Sequence, residues 1–379
     1  MVCKVYILDA PYQIDRPFDY LCDGSVRVGS LVRVPFGKAD RLRSGVVTEI
    51  CESVEASAQL KAVRVVLTDR YELSEEMLRL CAFMKEYTLC TFGEAVRCIL
   101  PPGALAETPN VKVRRTCTLK LCREAAATLL VATGRAGIKS EGQREIVRFL
   151  MDKGSADAEL IKELPGVSGA NIKALCDKGI IEISSVEEIR NPYSEYANCR
   201  DSSPIILSEE QSGAYATIES LYRESSARAA LLYGVTGSGK TKVIMSLIDK
   251  VLLDGRTVIM LVPEISLTPQ TVSIFCRRYG ERVAVIHSSL SKGERLDAWR
   301  RIRRGEVDLV IGTRSAIFAP LGNIGLIVID EEHEHTYKSE SDPKYHARDI
   351  AAFRCGEHSA LMLLASATPS IESFYKAEC

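Results

Sequence analysis

The chain has 379 residues, 46% of them hydrophobic, enough for more than one buried core, and its net charge of −1 excludes a chain-wide polycation while leaving local patches free to meet a polyanion. Its thirteen cysteines contain no C-x-x-C pair, which argues against a zinc knuckle and fits reduced thiols better than a disulfide framework. Met1-Val-Cys-Lys-Val-Tyr6 lacks a signal-peptide layout and no apolar run has membrane length, so the expectation is a soluble, cytoplasmic protein without a membrane partner.

Short β-rich runs come first: Lys4–Leu8, Leu31–Val34 and Ser44–Ile50, bounded by glycine and proline. Ser74 caps a helix to Tyr87 with Met77, Leu80, Cys81 and Met84 on one face, and Pro101-Pro-Gly103 closes the unit. This reads as a small β-barrel-like domain, residues 1–107. Residues 110–123 carry Lys112, Arg114, Arg115, Lys120 and Arg123 without an acid, a pattern more often a solvated face than a binding site. Helices are expected at Gln143–Asp152, Ala156–Leu164 and Ser168–Lys178, then a strand at Ile180–Ile183. Three short helices followed by a wing form a winged-helix pattern over 108–195. The last helix offers only Lys173 and Lys178 beside Asp177, too little for base readout but compatible with duplex backbone contact. Asn191–Pro204, polar with two prolines, reads as a linker.

From 196 to 379 the pattern alternates strand and helix, as in a parallel sheet covered on both faces. The apolar run Ala229–Tyr233 leads into Gly234-Val235-Thr236-Gly237-Ser238-Gly239-Lys240-Thr241, and a helix runs from there to Leu253. The glycines let backbone N–H groups turn inward around an anion at a helix N-terminus. Lys240 then reaches the β- and γ-phosphates of ATP, and Thr241 offers its hydroxyl to Mg²⁺. Further strands are expected at Thr257–Val262, Val283–Ile286, Asp308–Ile311, Leu326–Ile329 and Leu361–Leu364, with helices near Leu267–Tyr279 and Lys292–Arg304. After the apolar strand Leu326–Ile329 comes Asp330-Glu-Glu-His333; we assign Asp330 to the metal and Glu331 to the attacking water. His333 is open between a coupling group and a packed ring. Arg314, in Gly312-Thr-Arg-Ser315, is a good phosphate contact at a strand end.

Several of these stretches together resemble the PriA family of bacterial primosomal replication-restart helicases. The N-terminal carriers are Asp15-Arg-Pro-Phe-Asp-Tyr20, Val28–Lys38, Gly93-Glu-Ala-Val-Arg97 and Leu100-Pro-Pro-Gly103. The resemblance implies a pocket for the 3′ end of a strand built from Phe18, Asp19, Gly37 and Lys61: a ring to stack, a carboxylate to accept and an ammonium for phosphate. It implies a winged helix in the middle, and a RecA-like lobe in which Gln211 reads adenine and Ser366-Ala-Thr-Pro369 relays nucleotide state. Thr336–Arg348 resembles the family's aromatic-rich loop, which makes Tyr337, Lys338, Tyr345, His346 and Arg348 expected DNA contacts. Fork recognition, 3′–5′ movement on DNA, primosome proteins and single-stranded DNA-binding protein as partners, and Zn²⁺ on cysteine pairs absent here also follow only from the resemblance. The chain ends soon after Pro369, before a second motor lobe would begin, so a scaffold that binds forks and nucleotide but hydrolyses poorly is the alternative. A small-molecule kinase with a phosphate loop is a third reading, disfavoured by the helicase-like stretches after Thr241.

Overall fold

The computed structural model describes all residues except 52–59, 68–71, 106–112, 133–137, 139, 188, 198–200, 202, 225 and 379. Lys112, the 107/108 boundary and part of the expected linker lie outside the described residues. The chain divides into two compact units, one made of Met1–Pro109 with Asn191–Cys379, the other of Asn110–Arg190.

The first unit begins with strands β1 (Val2–Ile7), β2 (Pro17–Leu21), β3 (Leu31–Phe36), β4 (Arg41–Cys51) and β5 (Val65–Val66), followed by helices α1 (Glu75–Thr88) and α2 (Phe92–Ile99). The sheet runs β2-β1-β4-β3-β5 and is antiparallel. Its two edges meet: Leu21 donates to Lys61 O at 2.8 Å and Val63 N–H to Leu21 O at 2.9 Å, which curls the sheet into a small barrel. Closure satisfies edge groups that would otherwise stay unpaired. Alternate residues Cys3, Val5, Val32, Val34 and Val47 fill the inside. Helix α2 was not expected from periodicity, but Thr91 and Glu94 form a full capping box at its start.

The second unit contains β6 (Val113–Leu119), α3 (Arg123–Val131), α4 (Glu141–Lys153), β7 (Ser155–Asp157), α5 (Ala158–Lys162), α6 (Gly169–Asp177) and β8 (Ile181–Glu187). Two differences from the sequence expectation stand out. Part of the basic run is itself strand β6, which pairs antiparallel with both β7 and β8. The run at 156–164 opens as strand β7, because Asp157 caps α5 by accepting from Glu159 N–H at 2.8 Å. Three cations of the run are occupied within the unit: Arg114 pairs with Asp157 at 2.8 Å, Lys120 lies 3.6 Å from Glu182, and Arg123 donates to Met151 O at 3.1 Å.

The first unit resumes with α7 (Ser194–Ala197), α8 (Glu209–Arg223), β9 (Arg228–Tyr233), α9 (Lys240–Leu253), β10 (Thr257–Leu261), α10 (Pro269–Tyr279), β11 (Val283–Ile286), α11 (Lys292–Arg303), β12 (Leu309–Gly312), β13 (Ile324–Asp330), α12 (Ala347–His358), β14 (Leu361–Ser366) and α13 (Ile371–Glu378). The six strands are all parallel in the order β11-β12-β10-β13-β14-β9. Burial on both faces explains the near-continuous apolar text of β10, β12 and β13. The whole chain is thus a multidomain α/β protein, with a β-rich N-terminal region and one RecA-like parallel-sheet lobe.

Barrel helices and lobe share one core. Met77, Leu80, Met84, Phe92 and Val96 belong to the same buried cluster as Ile317, Phe318, Ile350 and Ala351. At its edge Arg354, fully buried, donates to the carbonyls of Ile317, Ala319 and Leu321 and pairs with Glu76 at 2.7 Å. His358 stands 3.1 Å from the same carboxylate. Burial pushes the Glu76 pKa up, but His358 and Arg354 together outweigh it and bring it down to about 2. A depressed carboxylate gives stability that is present above its unfolded pKa and is lost as pH falls through the folded value. Glu76→Gln should therefore lower stability at pH 7 by roughly 3 kcal/mol and flatten the loss between pH 4.5 and 2, read by urea unfolding with the buried, single Trp299 as probe. An unchanged midpoint would count against this linkage.

Candidate nucleotide and nucleic-acid site

Three loops leave the carboxyl ends of three neighbouring strands: 234–239 after β9, 331–334 after β13, and 367–370 after β14. In open parallel sheets such ends are where ligands bind. The first loop wraps with positive φ at Gly237 and Gly239, +83° and +82°, which favours glycine. Lys240, the first residue of α9, folds back and donates to Gly234 O at 2.7 Å. Gln211 caps its own helix, accepting from Ser208 N–H at 3.0 Å, and donates to Ser238 O at 2.8 Å. The sequence-expected group Gln211, Gly234–Gly239, Lys240 and Thr241 is therefore brought together at one helix N-terminus.

The loops are bonded to one another. Gly234 N–H donates to Ser366 O at 3.3 Å, and His333 Nδ1 lies 2.8 Å from Ser366 Oγ with Nε2 3.4 Å from Thr368 Oγ1. His333 is thus a bridging residue. Asp330 ends β13 and accepts from Glu331 N–H at 3.1 Å. Burial raises its carboxyl pKa to about 6, the neighbouring Glu331 adds to this, and Lys240 opposes it. A half-buried carboxylate next in sequence to a second acid, with a threonine hydroxyl at the start of α9, offers hard-oxygen donors of the kind Mg²⁺ takes. Among the described residues no three His, Cys, Asp or Glu side chains cluster to hold a metal by themselves.

Sequence reasoning missed Glu332. Its side chain is fully buried behind Asp330 and Glu331, accepting from Ser370 N–H at 2.6 Å, Ser373 Oγ at 3.0 Å and Arg348 Nη1 at 3.3 Å. No spacing rule marks it, because its partners lie on other elements.

The expected aromatic contacts need correction. Tyr337 and Tyr345 are 1% and 5% exposed. The Tyr337 hydroxyl donates to Asp330 O at 2.6 Å, and the Tyr345 ring packs edge-on to Phe318 at 5.0 Å with Arg314 over it. Neither ring presents a face on which a base could stack, because apolar burial outweighs exposure for rings in a tethered loop. Arg348 is turned inward to Glu332 and Ser373, and His346 accepts from Arg348 N–H at 3.1 Å as the cap of α12. Lys338 is exposed. Arg314 is held by the carbonyls of Thr336 and Lys338. With Ser288, Arg295, Thr313, Ser315 and Lys338 it lines a groove of about 560 Å³.

In the barrel, Lys61 donates to Gly37 O at 2.7 Å, and Phe18 packs edge-on to Phe36, the neighbour of Gly37, at 5.1 Å. These three residues converge. Asp19 stands exposed on edge strand β2, while the carboxylate that pairs with Lys61, at 2.6 Å, is the unforeseen Asp40.

Comparison with known proteins fits both parts. A family profile described as 3′DNA-binding domain (3′BD) matches residues 6–101, and one described as DEAD/DEAH box helicase matches 211–376. Replication restart protein PriA of Bacillus subtilis (strain 168) is 35% identical over 96% of this chain and 53% of its own length. The protein of that name from Chlamydia muridarum (strain MoPn / Nigg) is 33% identical over 93% and 46%. A solved structure of RecG bound to three-way DNA junction covers 50% of this chain and 24% of its own at 25% identity, with a TM-score of 0.35 that bears no weight here.

The class is therefore a DEAD/DEAH box helicase lobe, with the nucleotide and Mg²⁺ use that such a domain implies, joined to a 3′DNA-binding domain. Relatives named replication restart protein PriA are thus similar to nearly the whole of this chain, and its two domain profiles are a 3′DNA-binding domain and a DEAD/DEAH box helicase. The chain spans about half the length of the curated relatives it matches.

A methyl at Gly239 would lie 2.3 Å from Gln211 Nε2 on a backbone at φ +82°. Gly239→Ala should weaken binding of a fluorescent ATP analogue by about tenfold or more and lower stability by about 1–3 kcal/mol, read from the Trp299 unfolding midpoint. Unaltered affinity would show that the loop tolerates the side chain.

Proposed function

We propose that this chain is the DNA-end-recognising and ATP-binding portion of a replication-restart helicase, with residues 1–107 as the end-binding domain, 108–195 as a winged helix and 196–379 as the first motor lobe. The observation that carries the reading is the convergence of the phosphate loop, Asp330-Glu331 and Ser366-Ala-Thr-Pro369 on adjacent strand ends, bonded through Gly234, His333 and Ser366.

In this reading Lys240 leaves Gly234 O to meet the β- and γ-phosphates, an exchange of one carbonyl for stronger anionic acceptors. Thr241 and Asp330 hold Mg²⁺, which when bound supplies neutralising charge on the phosphates. Glu331 orients the attacking water. Gln211, already against the phosphate loop, reads the base edge of ATP. Ser366, bonded to both the loop at Gly234 and His333, carries the nucleotide state to the groove of Arg314 and Lys338, where single-stranded DNA passes in the 3′–5′ sense. Arg348 and His346 serve this DNA path indirectly, through α12 and Glu332. In the barrel Phe18, Asp19, Gly37 and Lys61 take the 3′ end of a forked DNA strand. Primosome proteins and single-stranded DNA-binding protein are the partners this role calls for, in the cytoplasm.

Single-stranded DNA should stimulate ATP hydrolysis by the chain, and Lys240→Ala should lower the stimulated rate by about 100-fold, measured by phosphate release. Nucleotide binding without turnover in the unsubstituted chain would instead favour a scaffold that holds forks. For the barrel, Asp19→Ala should weaken binding to forks with a free 3′-hydroxyl at the branch. Equal affinity of the unsubstituted chain for 3′-hydroxyl and 3′-phosphate forks would sink that part of the reading.

A further inference from the structure

Glu331 stands in the left-handed region at φ +44°, a conformation that costs a long side chain about 1–3 kcal/mol and persists only when its surroundings impose it. The surroundings here can be named. The peptide before Glu331 is held by Tyr337, whose hydroxyl donates to Asp330 O at 2.6 Å. The peptide after it is held twice: Glu332 N–H donates to Ala365 O at 3.1 Å, and Glu334 N–H to Glu331 O at 2.9 Å.

The next side chain continues the clamp. Glu332, 3% exposed, cannot touch a nucleotide; its oxygens accept from Ser370 N–H at 2.6 Å, Ser370 Oγ at 3.2 Å, Ser373 Oγ at 3.0 Å and Arg348 Nη1 at 3.3 Å. A buried carboxylate is stable only with its acceptor capacity met, and here the donors come from the turn after β14, from α13 and from the first turn of α12. So one residue fastens the loop after β13 to three other segments. Asp330 is fixed on the other side, in register with Ala365.

We propose that Glu332 and Tyr337 are positioning residues that impose the left-handed backbone at Glu331 and so set the direction of its carboxylate, which lies 3.7 Å from His333 Nδ1. This rests on Glu331 being the water-orienting group of the proposed ATPase. It also gives the buried Tyr337 a role other than base stacking. Movement of the turn at Ser370, or of the start of α12, is transmitted to Glu331 through the Glu332 carboxylate.

The test uses the full chain with Glu332→Gln and Tyr337→Phe, each close in shape to the original, and two independent readouts. Residue-resolved amide exchange by NMR should show Glu332 N–H losing protection about tenfold or more in both variants. Ser370 N–H should lose it in Glu332→Gln, and amides of β10 and β12 should be unchanged in both. DNA-stimulated turnover should fall about tenfold or more in kcat, while affinity for a fluorescent ATP analogue shifts less than about threefold. Unchanged protection at Glu332 and Ser370 overturns the clamp. Increased exchange with unchanged kcat overturns its positioning role, and so does an equal fall in kcat and nucleotide affinity. Should the unsubstituted chain hydrolyse no ATP, the assignment of Glu331 fails, and the exchange measurement alone decides the clamp.

Discussion

The chemistry of the lobe depends on one geometric constraint: strands β9, β14 and β13 lie side by side and parallel, so their carboxyl ends open onto one edge. Residues far apart in sequence become neighbours without any loop having to reach. Gly234, Ser366 and Asp330 follow from strand register alone. Their loops then bond across the top, through Gly234 N–H to Ser366 O and through His333 to Ser366 and Thr368. The first and third loops are therefore already in contact, which is what the proposed relay of nucleotide state requires.

The electrostatics fit that layout. Two acids, Asp330 and Glu331, stand together at a buried strand end, and burial with mutual repulsion raises the Asp330 carboxyl. Lys240 is the cation that opposes this rise, yet its ammonium is turned to a backbone carbonyl. An acid pair and a lysine bonded to backbone carbonyls are the groups that the proposed divalent ion and polyanion would meet.

Much of the lobe was legible in its text, because strands buried on both faces read as apolar runs and the phosphate loop needs glycine at fixed places. The strand limits at Val283–Ile286 match the expected ones, and those of the phosphate-loop strand shift by only one residue. What could not be read were contacts between elements. Glu332 looks like any surface acid until Ser370, Ser373 and Arg348 surround it, and Tyr337 and Tyr345 look like stacking rings until the fold covers them. Strand β2 escaped notice because Pro17 opens it and the exposed Asp19 interrupts its apolar pattern. The pairing of Lys61 with Asp40 escaped for the same reason as Glu332: partners distant in sequence leave no periodicity.

The shared core of barrel helices and lobe bears on how the molecule assembles as it is made. Residues 110–190 form a separate unit inserted between the two stretches of the first. Until the lobe emerges, α1 and α2 lack the apolar surface of Ile317, Phe318 and Ile350 on which they rest, and Glu76 lacks Arg354. The barrel strands can close early, since Leu21 and Val63 are already present. The helices beside them keep one face uncovered until the residues after the inserted unit are in place. Packing of α1 and α2 is therefore completed only by residues that follow the inserted unit in the chain.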